Sequence, residues 1–524
     1  MHPKVLIIGI DGGTFKLITP WVKEGKLPTI TELMRGGVHG ILKSTIPPVT
    51  SPAWQSFMTG CDPGKHGIFC FWDEKGRICT SKDLKKPPFW ELIGIEGYKS
   101  IIIGVPCTWP PKPFNGIIVT GQPVPEGKPY TYPPSIQKEI SSMGYIIGSS
   151  SQLIRALATS KKAREELIEI ERKKTECLIY LAKKYSWNLI CIVYKAPDQI
   201  QHVLYDKKHI IFEVYEQIDN LIRQLINTLK PEYVFIVSDH GFNEYNKVIN
   251  INKYLIDRGY LVRVKENSKP AGRPNSEKVG MSWTRSVLSL VGMDQEKLIR
   301  ITPKFLLDAI RKFIPYGIRQ QLIEKPVYKI DYEKSLAYCI AGTDFGIRIN
   351  RNKFYSKMDY DAFRDKLIKE LMSIKDPKTG KCVFKWIKHA EEVYAGEFTN
   401  QAPDLIYSAN NGYYPRTQLW GKSTIETSKT FAHDPDGIFI AHGEGIKENY
   451  KLEFDINILD IAPTILYLFD LPIPNYMDGK VLTSILSPQA EVAHKAVIYV
   501  NPSYYEIKRL KSKIRSLKST GRLI

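Results

Sequence analysis

Several segments of this 524-residue chain place acidic or imidazole side chains at the end of short apolar runs. Val5–Ile10 is followed by Asp11. Leu189–Tyr194 leads into Ala-Pro-Asp-Gln-Ile-Gln-His, which carries Asp198 and, four residues on, His202. The run 234–237 ends in Ser238-Asp239-His240-Gly241, and Phe431-Ala432-His433-Asp434-Pro435-Asp436-Gly437 precedes the run 438–441. In open α/β sheets, ligands collect beyond the carboxyl ends of the strands. An adjacent Asp-His pair buried there is costly unless something such as a divalent cation compensates it. A spacing of four puts Asp198 and His202 on one face of a helical turn, which suits two ligands of one ion. Singly, each Asp also reads as a turn or cap and each His as structural; their recurrence at strand ends is what argues for chemistry. Oxygen and nitrogen donors without thiolate fit Zn²⁺, with Mn²⁺ or Mg²⁺ as alternatives. Two such ions about 4 Å apart would clamp the attacking and leaving oxygens of a phosphoryl transfer. A nucleophile is offered by Pro47-Pro48-Val49-Thr50-Ser51-Pro52-Ala53-Trp54, where two hydroxyls precede an expected helix over 52–60. A hydroxyl there faces free N–H groups and the positive end of the helix dipole, although Thr50 or Ser51 would serve equally as a cap.

The elements that must position these residues are legible as alternation. Apolar runs at 5–10, 101–105, 117–120, 189–194, 234–237 and 438–441 alternate with helix-period stretches such as 161–184, 210–229 and 360–372. Runs apolar at every position suit strands covered on both faces. The expectation is an α/β fold with a mostly parallel central sheet and helices on both faces. The catalytic domain is expected over 1–266 and 327–505. A Pro/Gly/Ser-rich stretch and an amphipathic helix over 267–326 read as an inserted helical cap, and 506–524 as a basic C-terminal tail. Hydrophobic residues make up 43% and charged residues 25%, which excludes a disordered or collagen-like chain. No run of about 18 apolar residues would span a membrane as a helix. The eight cysteines form no CxxC pair. Together with the lack of a secretory signal, this leads to the expectation of reduced thiols in a cytoplasmic protein.

Taken jointly and in order, these motifs resemble the alkaline phosphatase superfamily, specifically its type I phosphodiesterase/nucleotide pyrophosphatase branch. The resemblance rests on Asp11-Gly12-Gly13, Val49 to Trp54 with Thr59-Gly60, Pro63-Gly64-Lys65-His66-Gly67-Ile68, Pro197-Asp198 with His202, and Ser238 to Gly241. Ala402-Pro403-Asp404-Leu405-Ile406, His433 with Gly437, Asp460 to Thr464 and Met477-Asp478-Gly479 extend it towards the carboxyl end. It implies Thr50 as nucleophile, with Ser51 as fallback. It further implies one metal on Asp198, His202 and His433, and a second on Asp11, Thr50, Asp239 and His240. Attack by Thr50 on phosphorus would give a phosphothreonine that water hydrolyses. The chain departs from the nucleotide pyrophosphatases at Ile68-Phe69-Cys70-Phe71, where those enzymes usually carry an asparagine that steadies a phosphate oxygen. No sulfatase Cys-x-Pro-x-Arg motif surrounds Thr50.

The expected protein is therefore a two-metal phosphohydrolase, a phosphodiesterase acting on a small-molecule or lipid-linked phosphoester. A phosphotransferase or mutase with the same metal site is the second reading. A non-catalytic basic surface-binding protein is the third: 74 Lys+Arg against 55 Asp+Glu give +19. Seven basic residues after Glu506 could meet an anionic membrane surface. Specific nucleic-acid recognition is not expected.

Overall fold

The computed structural model describes residues 3–72, 77–265, 328–340 and 345–519. The expected cap over 267–326 lies outside them. Seven strands of the main sheet are β1 (Val5–Ile10), β2 (Val38–Lys43), β3 (Ser100–Ile103), β4 (Gly116–Val119), β5 (Thr131–Tyr132), β6 (Leu189–Tyr194) and β7 (Tyr233–Val237). From one edge the order is Tyr450–Lys451, β2, Asp436–Gly443, β7, β1, β6, β3, β4, β5. Five consecutive strands, β7, β1, β6, β3 and β4, run parallel. Asp436–Gly443 runs antiparallel to both its neighbours, β7 and β2. The sheet is thus mostly parallel, as the unbroken apolar runs imply.

Successive residues of β1 point to opposite faces, and each face is covered. Leu6, Ile8 and Ile10 join a core with Leu17, Ile18 and Trp21 and with residues of helices Lys161–Lys184 and Lys208–Leu229. Val5 and Ile7 join a second core with Trp54, Phe57, Phe89, Trp90 and the helix Ile461–Leu468. Each fully buried aliphatic contributes about 1.5–3 kcal/mol before entropic costs, so β1 is the strand the rest is built around.

Beyond β7 the chain leaves the alternating pattern. β8 (Gly241–Asn250) pairs antiparallel with Ile425–Asp434 and parallel with Tyr413–Arg416. A four-stranded sheet of Ala337–Tyr338, Gly346–Ile349, Leu405–Ala409 and Phe384–His389 packs its own core with helix Lys357–Met372. The basic stretch after 506 is helical as far as Ser519, within Ser503–Ser519. Buried Tyr505 anchors this helix by donating from its hydroxyl to the Pro472 carbonyl at 2.6 Å.

Helix Thr50–Thr59 is buried at all ten positions and rests on β1 where a residue has no side chain. A Cβ on Gly9 would lie 2.4 Å from Cη2 of Trp54 and 2.8 Å from Cγ2 of Val193. Gly9 is therefore what lets the Trp54 indole lie against the strand. Gly9→Ala overpacks this contact and is expected to cost about 1–3 kcal/mol. Urea unfolding checks it; a wild-type midpoint would contradict the assigned contact.

Candidate metal centre

The strand ends deliver the side chains. Asp11 is the first residue past β1, and Asp239-His240 occupy the step from β7 to β8; all three are fully buried. Asp198 and His202 lie one turn apart on helix Ala196–Leu204, which follows β6. His433 arrives from the far end of the chain by strand register. In the antiparallel pair, His433 lies opposite Phe242 and Asp434 opposite Gly241. This sets the His433 ring on that of His240, with centroids 3.7 Å apart and planes 19° apart. The approach needs a glycine: a Cβ on Gly241 would fall 2.0 Å from the Asp436 carbonyl oxygen.

Two donor groups result. Asp198, His202 and His433 form one, and Asp11, Asp198 and His240 the other; within each, one ligand atom per residue lies within 4.8 Å of the rest. Asp198 Oδ1 is 3.3 Å from His202 Nε2 and 3.4 Å from His433 Nε2. His240 Nε2 is 3.3 Å from Asp239 Oδ2 and 3.9 Å from Asp11 Oδ1. Asp198 thus faces both groups, whereas the resemblance assigned it to one. Thr50 Oγ1 lies 3.2 Å from His240 Nε2. Ser51 points elsewhere, donating to the Cys70 carbonyl at 3.2 Å. Neither hydroxyl caps the helix, because Val49 occupies the N-cap. The His202 side chain is 42% exposed and that of His433 14%, so the site opens on the His202 side.

The ring hydrogens can be assigned from the second nitrogen of each imidazole. His433 Nδ1 lies 3.0 Å from the Pro48 carbonyl and His240 Nδ1 3.0 Å from that of Gly241. Each Nδ1 donates there, which leaves an Nε2 lone pair aimed into the site. His202 Nε2 and His433 Nε2 face each other at 2.9 Å. Asp11 Oδ1, Asp198 Oδ1 and Asp239 Oδ2 are buried with no hydrogen-bond partner. Burial pushes the Asp239 carboxyl far above the usual range, and Asp11 and Asp198 push it further. Burial raises Asp11 as well. Burial would also raise Asp198, but the His202 imidazole beside it holds it well below the carboxylate range. His240 is pushed well below the usual imidazole range by burial, and His433 adds to this. Carboxylates that repel one another, beside lone pairs aimed inward, fit a divalent cation. The donor set suits zinc, with manganese as the oxygen-rich alternative.

Two contacts to Asp11 carry no sequence signal. Its Oδ2 accepts from Trp54 Nε1 at 3.2 Å and lies 3.4 Å from Lys195 Nζ. Lys195 sits just before the Ala-Pro-Asp motif, but in a chain with 74 basic residues it has nothing to mark it. Other flanking residues serve the scaffold. Asp434 pairs with Lys16 at 2.7 Å, so the Pro48 carbonyl, not Asp434, orients His433. Lys65 is tied to Asp478 at 2.6 Å. His66 is fully buried: Ile68 N donates to its Nδ1 at 3.2 Å, so its Nε2 donates to Ser56 Oγ at 3.0 Å.

The family model for type I phosphodiesterase / nucleotide pyrophosphatase matches residues 5–313. The chain belongs to this family. It is a phosphoester hydrolase of the alkaline phosphatase superfamily, whose phosphodiesterase branch is metal-dependent and acts on small-molecule phosphoesters. Among solved structures, its fold is similar to the murine ectonucleotide pyrophosphatase/phosphodiesterase 5, at 16% identity and a TM-score of 0.50 over 92% of this chain and 100% of that one. It is also similar to phosphonoacetate hydrolase from Sinorhizobium meliloti 1021, at 11% identity and a TM-score of 0.53 over 90% of this chain and 95% of that one. An alignment 151 residues long, covering 27% of the chain, is 30% identical to small ribosomal subunit protein uS4 of Agathobacter rectalis and covers 75% of that protein. Membership in an enzyme family displaces the non-catalytic reading.

His66 ties the Thr50 helix to the turn after it, and burial lowers its pKa to about 3. Its ordinary value is near 6.5. Above that value its neutral form stabilises the fold fully; as pH falls towards 3, the unfolded chain binds a proton that the folded chain refuses. Stability is therefore lost on acidification, by about 1.4 kcal/mol per pH unit from this group alone. Between pH 6 and pH 4, wild-type unfolding free energy should fall more steeply than that of His66→Gln by this slope. Parallel slopes would show that His66 titrates normally in the fold.

Proposed function

We propose that the chain is a phosphodiesterase that works through a phosphothreonine on Thr50 with two divalent cations, zinc by preference. The observation that carries this reading is the convergence of three unpartnered carboxylate oxygens and three imidazole Nε2 atoms in one corner, with the Thr50 hydroxyl 3.2 Å from the Nε2 of His240. Asp198, His202 and His433 would hold one cation, and Asp11, Asp239 and His240 the other, with Asp198 Oδ1 between the groups. Bound there, the cations would neutralise the carboxylates, polarise the phosphoryl oxygens and lower the pKa of the Thr50 hydroxyl.

The chain's own residues supply the rest. Thr50 is the first residue of helix Thr50–Thr59, whose leading N–H groups favour phosphate oxygens. Its Oγ1 bonds to phosphorus as the ester oxygen departs, and the Thr50 proton ends on that ester oxygen as an alcohol. Water then attacks phosphorus, the Oγ1–P bond breaks, and a proton from the water restores the Thr50 hydroxyl. In the stretch 68–71, Ile68 and Phe69 are buried in the core, Phe69 on Tyr394, Ser51 donates to the Cys70 carbonyl, and no asparagine stands there. The lack of that asparagine favours esters other than nucleotide pyrophosphates, although an inactive variant of the murine relative binds AMP. Water as acceptor, in preference to an alcohol, is part of this proposal. So is a reducing, cytosolic setting, which six buried cysteines outside any disulfide support.

In Thr50→Ala, hydrolysis of bis(p-nitrophenyl) phosphate should fall by about 10³-fold or more, while zinc content stays near two per chain. Turnover at the wild-type rate would remove Thr50 from the chemistry. A glycerol adduct formed faster than the hydrolysis product would show that the acceptor is an alcohol.

A further inference from the structure

Helix Lys161–Lys184 carries two charged residues where only apolar ones are expected. The side chains of Glu171 and Lys174 are 3% and 5% exposed, and they pair with each other at 2.5 Å. Charged residues are almost never buried this deeply unless paired, and a buried pair is weak evidence for stability. The partners on the other side point to a different role. Glu171 Oε1 accepts from the backbone N–H of Lys195 at 2.7 Å and of Ala196 at 2.9 Å. Lys174 Nζ donates to the Val193 carbonyl at 2.8 Å. Thr175, on the same face of the helix, bonds the Tyr194 hydroxyl at 2.7 Å. Four consecutive residues, from Val193 to Ala196, are therefore held by three residues of one helix.

Those four residues are the bend from β6 into helix Ala196–Leu204, which carries Asp198 and His202. The helix has no cap of its own, since Lys195 occupies the N-cap and makes no side-chain bond to the helix. Its first N–H groups would otherwise be buried without an acceptor. We infer that the Glu171–Lys174 pair is a positioning device for the metal centre: it supplies the missing cap from a distant helix and sets the angle at which Asp198 and His202 meet His433. The device rests on the two-cation reading above. Glu171 touches no donor atom of the centre and acts only through the backbone of the bend. It also fixes the Lys195 backbone, and with it the ammonium group beside Asp11.

The test separates positioning from folding. Glu171→Leu with Lys174→Met removes both buried charges together, a change that leaves many proteins as stable as before, but it leaves the Lys195 and Ala196 N–H groups without an acceptor. Glu171→Gln keeps one oxygen for them. Zinc affinity is measured by competition with a fluorescent chelator, alongside Tm, kcat and KM. Outer partners of metal ligands typically govern about 10–100-fold in metal affinity. The double variant should lose affinity for one zinc on that scale and lose kcat with KM little changed, whereas Glu171→Gln stays within about threefold of wild type. If the double variant does not fold, Glu171→Ala takes its place in the same comparison. A folded double or alanine variant that binds both zinc ions as wild type does overturns the inference. So does a glutamine variant that loses as much as the others. Wild-type protein that binds no zinc or manganese would instead overturn the two-cation reading, a result visible before any variant is made.

Discussion

At the carboxyl edge of the sheet, oxygens of Asp11, Asp198 and Asp239 face the Nε2 atoms of three imidazoles across 3.3 to 3.9 Å. Each of these carboxylates has an oxygen that is buried and accepts no hydrogen bond. His240 and His433 spend their ring hydrogens on backbone carbonyls and turn lone pairs inward. Such an arrangement opposes folding unless positive charge enters it. Lys195 supplies one such charge, against Asp11 alone. The rest of the molecule can be understood as the scaffold that brings these groups together.

That scaffold is stiff where it must be. β1 lies between β6 and β7, all parallel, so Asp11, the bend before Asp198 and Asp239 leave the sheet at one level. The helix bearing Thr50 is pressed on β1 at Gly9, and the Trp54 indole from that helix reaches back to Asp11. A single packing contact therefore sets the distance between nucleophile and metal ligand. His433 depends on a different mechanism, the register of a long antiparallel pair that shifts once, between Thr427 and Thr430.

Much of this was legible in the sequence, and the boundary has physical causes. Strands covered on both faces read as unbroken apolar runs, so Val5–Ile10 and Leu189–Tyr194 could be located to the residue, as could helix Lys161–Lys184. Asp11, Asp198 and Asp239 stood out because each follows such a run. β3 stops short of the expected 101–105 because Gly104 turns to φ 74. β2, with alternating burial, and the small antiparallel sheets gave no comparable signal, because a short half-covered strand resembles any loop. Its place just before the run 438–441, and then the family resemblance, mark His433, but nothing local encodes the register that delivers it. Lys195 and the indole of Trp54 were silent for another reason: their role lies in a contact with Asp11, remote along the chain.

The account turns on whether cations occupy the space between these donors. Anomalous diffraction from crystals grown with zinc, collected on both sides of the zinc edge, tests this directly. The account predicts two peaks, one bounded by Asp198, His202 and His433 and one by Asp11, Asp239 and His240, with Thr50 Oγ1 within coordination distance of the second. Crystals with no peak in this corner, or with zinc only at surface histidines, would contradict it.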